Sequence, residues 1–322
     1  MALAALSGDE QCIIFSQLCN ELDTRVAVAF NSTSSELRAL TQAPRQQLRA
    51  DYEAAAALGL KMGMRSCKEL REATTVRCSH KGLSAADLVT LGTLGSVLPA
   101  LVVLSLYESA AGPDGVPRLV EPEPLRADGV QRLAVGLGAG ALPAVTFLEV
   151  SSMHVGDAGA SALAAALGRG ALPRLKQLWL FNAAIGDAGL VALAPALRRL
   201  PALERLVLHS NPFGDEGLAA LVAPPPPPAG ALPPPTGVLT KLKALYLDST
   251  QITDAGCVTL AAALDSGALP ALKVLYLRPG HGGSLASAAA VAAVYEARDT
   301  LKDEESDSED EEDEGVRGVG RG

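Results

Sequence analysis

Apolar positions through the central two thirds of the chain follow two alternating periods. In LKQLWL, Leu175, Leu178 and Leu180 fall at the spacing of a short strand with one face turned inward. The stretch after it, ending in A-L-A-P-A-L, carries leucines at helical spacing. Strand, turn and helix therefore make one unit, and the unit recurs. Copies begin at Leu142 (LPAVTFLEVSSMHVGDAGASALAAAL), Leu172 (LPRLKQLWLFNAAIGDAGLVALAPAL) and Leu200 (LPALERLVLHSNPFGDEGLAAL). The register resumes at Leu239 (LTKLKALYLDSTQITDAGCVTLAAAL) and Leu269 (LPALKVLYL), and LPALVVLSLYE at Leu98 is a degenerate earlier copy. The uninterrupted period is roughly 28 to 30 residues, which predicts a solenoid of stacked strand–helix units.

Within each unit, I-G-D-A-G and its variants join strand to helix. Asp157, Asp187, Asp215 and Asp254 are expected to cap their own helices by accepting a bond from a first-turn N–H. A string of matched carboxylates also suggests metal or acid chemistry, but one carboxylate per repeat is the pattern of a structural role. Gly159, Gly189, Gly217 and Gly256 are expected to let each helix lie close to the neighbouring strand.

These copies resemble the leucine-rich repeats of the ribonuclease-inhibitor-like subfamily, also found in Ran GTPase-activating proteins and in nucleotide-binding innate immune receptors. The resemblance covers about residues 83–297. It implies an α/β fold: a leucine-rich-repeat solenoid, or horseshoe, with parallel strands on the concave face and helices on the convex face. The family's usual Asn after the strand is present as Asn211, whereas Met153, Ala183 and Thr250 occupy the equivalent places. An incomplete Asn ladder predicts a softer solenoid, with water or Thr completing the turns.

Residues alternating with the inward leucines face solvent on the concave side. One column reads Ser105, Glu149, Trp179, Val207, Tyr246 and Tyr276; the next reads Tyr107, Ser151, Phe181, His209, Asp248 and Arg278. With Phe147 from the preceding column, six of the eleven aromatic residues of the chain fall on this face. Two readings stay open. The aromatics anchor a protein partner, or they pack on one another and merely cover the sheet. The candidate partner-binding set is Tyr107, Phe147, Glu149, Trp179, Phe181, His209, Tyr246, Asp248, Tyr276 and Arg278. His209 beside Asp248 suggests a catalytic dyad, but no nucleophile falls in register with it.

The ends differ in character. Residues 1–42 form an apolar helical pattern through Leu6, Ile13, Ile14, Phe15, Leu18 and Leu22, then Val26, Val28 and Phe30. This segment resembles an F-box, which implies an Skp-type adaptor as partner and a substrate-receptor role in a ubiquitin ligase. The alternative is a cap over the open core of the first repeat. Residues 43–82 read as one or two linking helices, and 83–298 as the repeats. The repeats are broken at 223–237 by APPPPPAGALPPPTG, a polyproline stretch that is either a surface loop or a ligand for an SH3, WW or profilin-like groove. Residues 299–322 form an acidic tail expected to be disordered. Ser306 and Ser308 within it have the setting of acidophilic phosphorylation sites.

Composition narrows the function classes. The net charge of −9 comes largely from that tail, and the mildly basic stretch around Arg45 to Arg71 is diluted by glutamates, so nucleic-acid binding is not expected. No apolar run is long enough for a membrane span, and MALAALSGDE lacks a basic n-region, so a cytoplasmic or nuclear protein is expected. The five cysteines include no C-x-x-C pair; Cys67, Cys78 and His80 are three donors without a fourth. No cofactor and no enzyme activity are expected. The leading expectation is a protein-binding scaffold. A Ran-GTPase-activating-protein-like regulator of a small GTPase and an acidic histone-binding protein are the alternatives.

Overall fold

The computed structural model describes residues 15, 19, 20, 22, 25–32, 39, 41–79, 81–107, 128–222, 239–279 and 285–299. Three helices open the described chain: α1 (Arg25–Ser32), α2 (Gln42–Lys61) and α3 (Cys67–Glu72). Strands and helices then alternate as β1 (Thr75–Arg77), α4 (Ala85–Thr93), β2 (Val103–Tyr107), α5 (Gly129–Gly136), β3 (Phe147–Ser151), α6 (Gly156–Gly168), β4 (Gln177–Trp179) and α7 (Asp187–Arg199). The series continues with β5 (Arg205–Val207), α8 (Asp215–Val222), β6 (Ala244–Tyr246), α9 (Asp254–Asp265), β7 (Val274–Tyr276) and α10 (Ala288–Asp299).

All seven strands form one parallel sheet in sequence order. The register is strict. Val76, Leu104, Leu148, Leu178, Leu206, Leu245 and Leu275 pair side by side, and each is at most 3% exposed. Behind them lie the inward leucines of the helices, such as Leu163, Leu193, Leu218 and Leu260. Burying each leucine contributes about 1.5–3 kcal/mol, so stacking one unit on the next supplies most of the driving force that no single unit has alone. Strands repeat about every 4.8 Å, whereas packed helices need about 8–10 Å. That mismatch bends the stack with the sheet inside, which makes the solvent face of the sheet the concave one.

The sheet begins earlier than the sequence reading placed it. β1 lies at 75–77, inside the segment expected as a helical linker, and pairs with β2. With only Val76 buried in a three-residue strand, TTVRCSH shows too little alternation to be recognised. The linking helices themselves close the first repeat: Ala55 and Leu58 of α2 and Leu70 of α3 join the main core, and Lys61 Nζ reaches Asp87 Oδ2 at 2.6 Å. Further out, Phe15 and Ala27 make a small separate cluster against Cys19 and Leu48. The Pro-rich insertion, the acidic tail with Ser306 and Ser308, His80, and Leu6, Ile13, Ile14 and Leu18 lie outside the described residues. No described helix is long and apolar enough to cross a membrane.

Candidate protein-binding face

The concave face is built by the residues that alternate with the buried leucines. Arg77, Ser105, Glu149, Trp179, Val207, Tyr246 and Tyr276 stand in one row across all seven strands. The neighbouring row contains Tyr107 beside Ser151. It continues past the strand ends through Phe181, His209 and Asp248, whose carbonyls accept from the N–H of Ser152, Asn182 and Ser210 at 3.0, 3.1 and 2.8 Å. Arg278 follows β7 and is exposed.

Side chains in these rows touch in sequence. Phe147 meets Trp179 edge-on at 5.1 Å, Trp179 leans on Phe181 at 6.5 Å, and Phe181 contacts Tyr107 at 5.9 Å and stacks on His209 at 4.8 Å. A second group, Tyr246 on Tyr276, stacks at 4.7 Å. Val207 separates the groups. Mutual packing is therefore real, yet Tyr107, Phe147, Trp179, Phe181 and Tyr246 are all only half-buried and Tyr276 is exposed. The two readings of the aromatics thus describe the same arrangement: the rings brace one another and still present a surface.

Polar groups on the face are unevenly satisfied. Ser105 Oγ donates to Glu149 Oε2 at 2.5 Å and Ser151 Oγ to the Trp179 carbonyl at 3.2 Å. By contrast, Trp179 Nε1 and Asp248 Oδ1 are buried with no hydrogen-bond partner. Burial lowers the His209 pKa below its ordinary value, and the nearby Asp248 charge opposes that shift without cancelling it. No hydrogen bond joins His209 to Asp248; instead His209 Nδ1 lies 3.1 Å from Ser210 Oγ. Alternation missed this Ser because Ser210 turns through the left-handed region, with φ of 58°. An imidazole bonded to its own chain neighbour and not oriented by a carboxylate lacks the arrangement of a catalytic triad.

The aspartates at the strand-to-helix turns require a correction. Asp157, Asp187, Asp215 and Asp254 do not cap their own helices; each reaches forward to the next. Asp157 Oδ1 accepts from Gly186 N at 2.7 Å, and Asp187 Oδ1 accepts from Gly214 N at 2.8 Å and Gly217 N at 2.7 Å. Asp215 accepts from Thr253 N at 2.8 Å and from Thr253 Oγ1 at 2.6 Å, and Asp254 Oδ1 from Ser287 N at 2.6 Å. Asp187, Asp215 and Asp254 are already the first residues of their helices, one step too late to close them. Each carboxylate meets the positive end of the following helix instead. The repeat glycines make room for it: a Cβ on Gly189 would stand 2.5 Å from Asp157 Oδ1, and one on Gly256 would collide with Asp215.

The turns after the strands show which bonds the incomplete Asn ladder makes. Asn211, buried, accepts from Ala183 N at 3.1 Å and Ile185 N at 3.0 Å, and donates to the carbonyls of Leu180 and Leu208 at 2.7 and 2.8 Å. Thr250 replaces only part of this, with one bond to the Leu247 carbonyl at 2.8 Å. Met153 and Ala183 are simply buried.

This strand–turn–helix unit, its register and its leucine spacing are those of a known repeat, and a family model described as "Leucine Rich repeat" matches residues 200–222 and 238–261. The chain carries leucine-rich repeats. No curated protein matches the chain. Among solved structures, "Leiomodin-1 Actin-Binding Site 2 (ABS2)" is similar over 45% of this chain and 72% of its own, at 16% identity and a TM-score of 0.34. Around the leucine-rich repeats, no group of three or more His, Cys, Asp or Glu among the described residues is arranged to hold a metal. An open pocket lined by Met64, Ser66, Glu69 and Thr74 sits beside α3, away from the concave aromatics.

Proposed function

We propose that this chain is a non-catalytic protein-binding scaffold that grips its partner on the concave face. The observation that carries this reading is the braced aromatic row, Phe147–Trp179–Phe181–Tyr107 with His209, continued by Tyr246–Tyr276. Large rings fixed on a rigid sheet lose little entropy on binding and supply the anchors that dominate interfaces. Glu149, Asp248 and Arg278 set the charge pattern such a partner has to match.

Quantitative affinity capture from extract compares the parent with Trp179→Ala plus Tyr246→Ala, and with Val258→Ala on the exposed helical surface as control. The concave pair is expected to lose a protein that the parent and the control retain. Retention of every partner by the concave pair, with unchanged circular dichroism, sinks the reading.

The amino-terminal segment supports a second contact, an Skp-type adaptor and with it a role as substrate receptor of a ubiquitin ligase. The supporting observation is on α1, where Val26 and Val28 are 41% and 65% exposed while α2 and α3 already close the first repeat. Val26→Asp plus Val28→Asp is expected to abolish binding of purified adaptor while leaving concave capture intact; adaptor binding that survives the pair removes the ligase role.

A further inference from the structure

Each repeat helix runs back against its strand and hands the chain to the next strand at one edge of the sheet. Along that edge the residue just before the strand is Lys176, Glu204, Lys243 and Lys273 in four consecutive units. Their backbones are laddered together: Glu204 N donates to the Lys176 carbonyl at 2.7 Å, Lys243 N to Glu204 at 2.7 Å, and Lys273 N to Lys243 at 2.9 Å. At about 4.8 Å per strand the row spans about 14 Å. Two residues upstream lie Arg174 and Lys241, and one residue downstream lies Arg205. All six cations are exposed, and Glu204 is the one carboxylate within the row, 3.9 Å from Lys176 and 3.1 Å from Lys243. The helix ends at this edge carry Arg199, Asp265 and Asp299, all exposed, with Asp299 paired to Arg298 at 2.9 Å. Among these repeats, whose cations and carboxylates are otherwise interspersed, the edge is a concentrated positive strip.

Helix α10 ends at Asp299, and by the same geometry the chain leaves it at this edge, beyond Lys273. After three intervening residues begins Asp303–Glu314, ten carboxylates with Ser306 and Ser308 and no cation. Twelve residues extend to at most about 40 Å, ample for a row of about 14 Å. A surface ion pair alone contributes about 0–1 kcal/mol, but a three-residue tether holds the segment at an effective concentration on the order of millimolar, and ten charges meet six.

We propose that the acidic segment Asp303–Glu314 docks within its own chain along the cationic edge formed by Arg174, Lys176, Lys241, Lys243 and Lys273, with Arg205 at its concave rim. Docked there, it occupies the rim that an acidic partner would approach, and phosphate on Ser306 or Ser308 adds charge that tightens the contact. This reading is independent of the concave aromatics.

Zero-length carbodiimide cross-linking of the full chain, with the joined peptides identified by mass spectrometry, tests it. Lysines 241, 243 and 273 are expected to join to the 303–314 peptide within monomers. Yield should hold on tenfold dilution, and should fall about tenfold in about 1 M salt, where the Debye length is about 3 Å. Lys241→Gln plus Lys243→Gln should lower it severalfold, and Ser306→Glu plus Ser308→Glu should raise the salt needed for release. Cross-links that fall on dilution and appear in dimers assign the segment to a second copy and overturn the proposal. So does a yield at Lys68, remote on α3, equal to that at the row, or one indifferent to salt. The dilution and salt arms use the unaltered chain, so they do not depend on any variant folding.

Discussion

The first repeat and the last four close their helices in different ways. At α4 the closure is local: Ser84 Oγ accepts from Asp87 N at 3.3 Å while Asp87 Oδ2 accepts from Ser84 N at 2.7 Å, with Lys61 adding a bond to the same carboxylate. From α7 onward a carboxylate of the preceding repeat reaches the helix start, joined at α9 and α10 by the local Thr253 and Ser287 hydroxyls. A local box stabilises one helix; a forward-reaching Asp ties each unit to the next. The comparison teaches that, on top of the shared leucine core, the polar part of nearest-neighbour coupling in residues 157–287 rests on one short side chain per repeat.

The largest effect is expected at Asn211, the one full rung of the turn ladder among the described residues. Asn211→Ala leaves the buried Ala183 and Ile185 N–H groups and the Leu180 and Leu208 carbonyls without partners, a loss of about 3 kcal/mol. Urea unfolding followed by circular dichroism measures it. A loss below about 1 kcal/mol would mean that the ladder has been replaced by water.

Next in size is Gly256→Ala, whose new Cβ meets the Asp215 carboxylate; a cost of about 1–3 kcal/mol is expected. If the cost comes from displacing Asp215, a double-mutant cycle with Asp215→Ala shows coupling of at least about 0.5 kcal/mol. Simple additivity would show that the glycine serves another purpose.

Asp187→Ala and Ser84→Ala sharpen the contrast directly. Each should cost about 1 kcal/mol, but hydrogen exchange should distinguish them. Loss of Asp187 is expected to speed exchange at Gly214 and Gly217, in the following repeat, whereas loss of Ser84 speeds it only at the start of α4. Equal local effects from both variants would erase the distinction.

The smallest effect is the pH response of His209. Its folded pKa lies below the ordinary value of about 6.5, because burial disfavours the charged ring. Between the two values the unfolded chain binds more protons, so the contribution is fully present above about 6.5 and is lost as pH falls through the folded value. Melting temperature should therefore drop on acidification from about pH 7 to pH 5 by less in His209→Gln than in the parent. An identical drop in both assigns the acid sensitivity elsewhere.

Much of this was legible beforehand. Leucine spacing placed β2 to β7 and the concave rows in correct register, because a period of two and a period of 3.6 leave separate marks on any sequence that buries one face. The same marks were absent from β1, where three residues show no period. Among the candidate side chains, alternation gives the face but not the neighbours: that Phe181 stacks on His209, or that Trp179 Nε1 has no partner, depends on rotamers chosen jointly by several strands.

The sequence by itself determined the repeating unit, its inward leucines, the missing rungs of the Asn ladder and the charge of the terminal segment, since these follow from residue type and spacing along one chain. Only the tertiary structure decided where each Asp carboxylate goes. Residue 187 begins its own helix and so cannot close it, while the next helix, brought alongside by stacking, offers unbonded N–H groups within 2.8 Å. A hydrogen bond between positions 27 or 30 residues apart is set by the packing distance of two helices, and no local pattern encodes that distance.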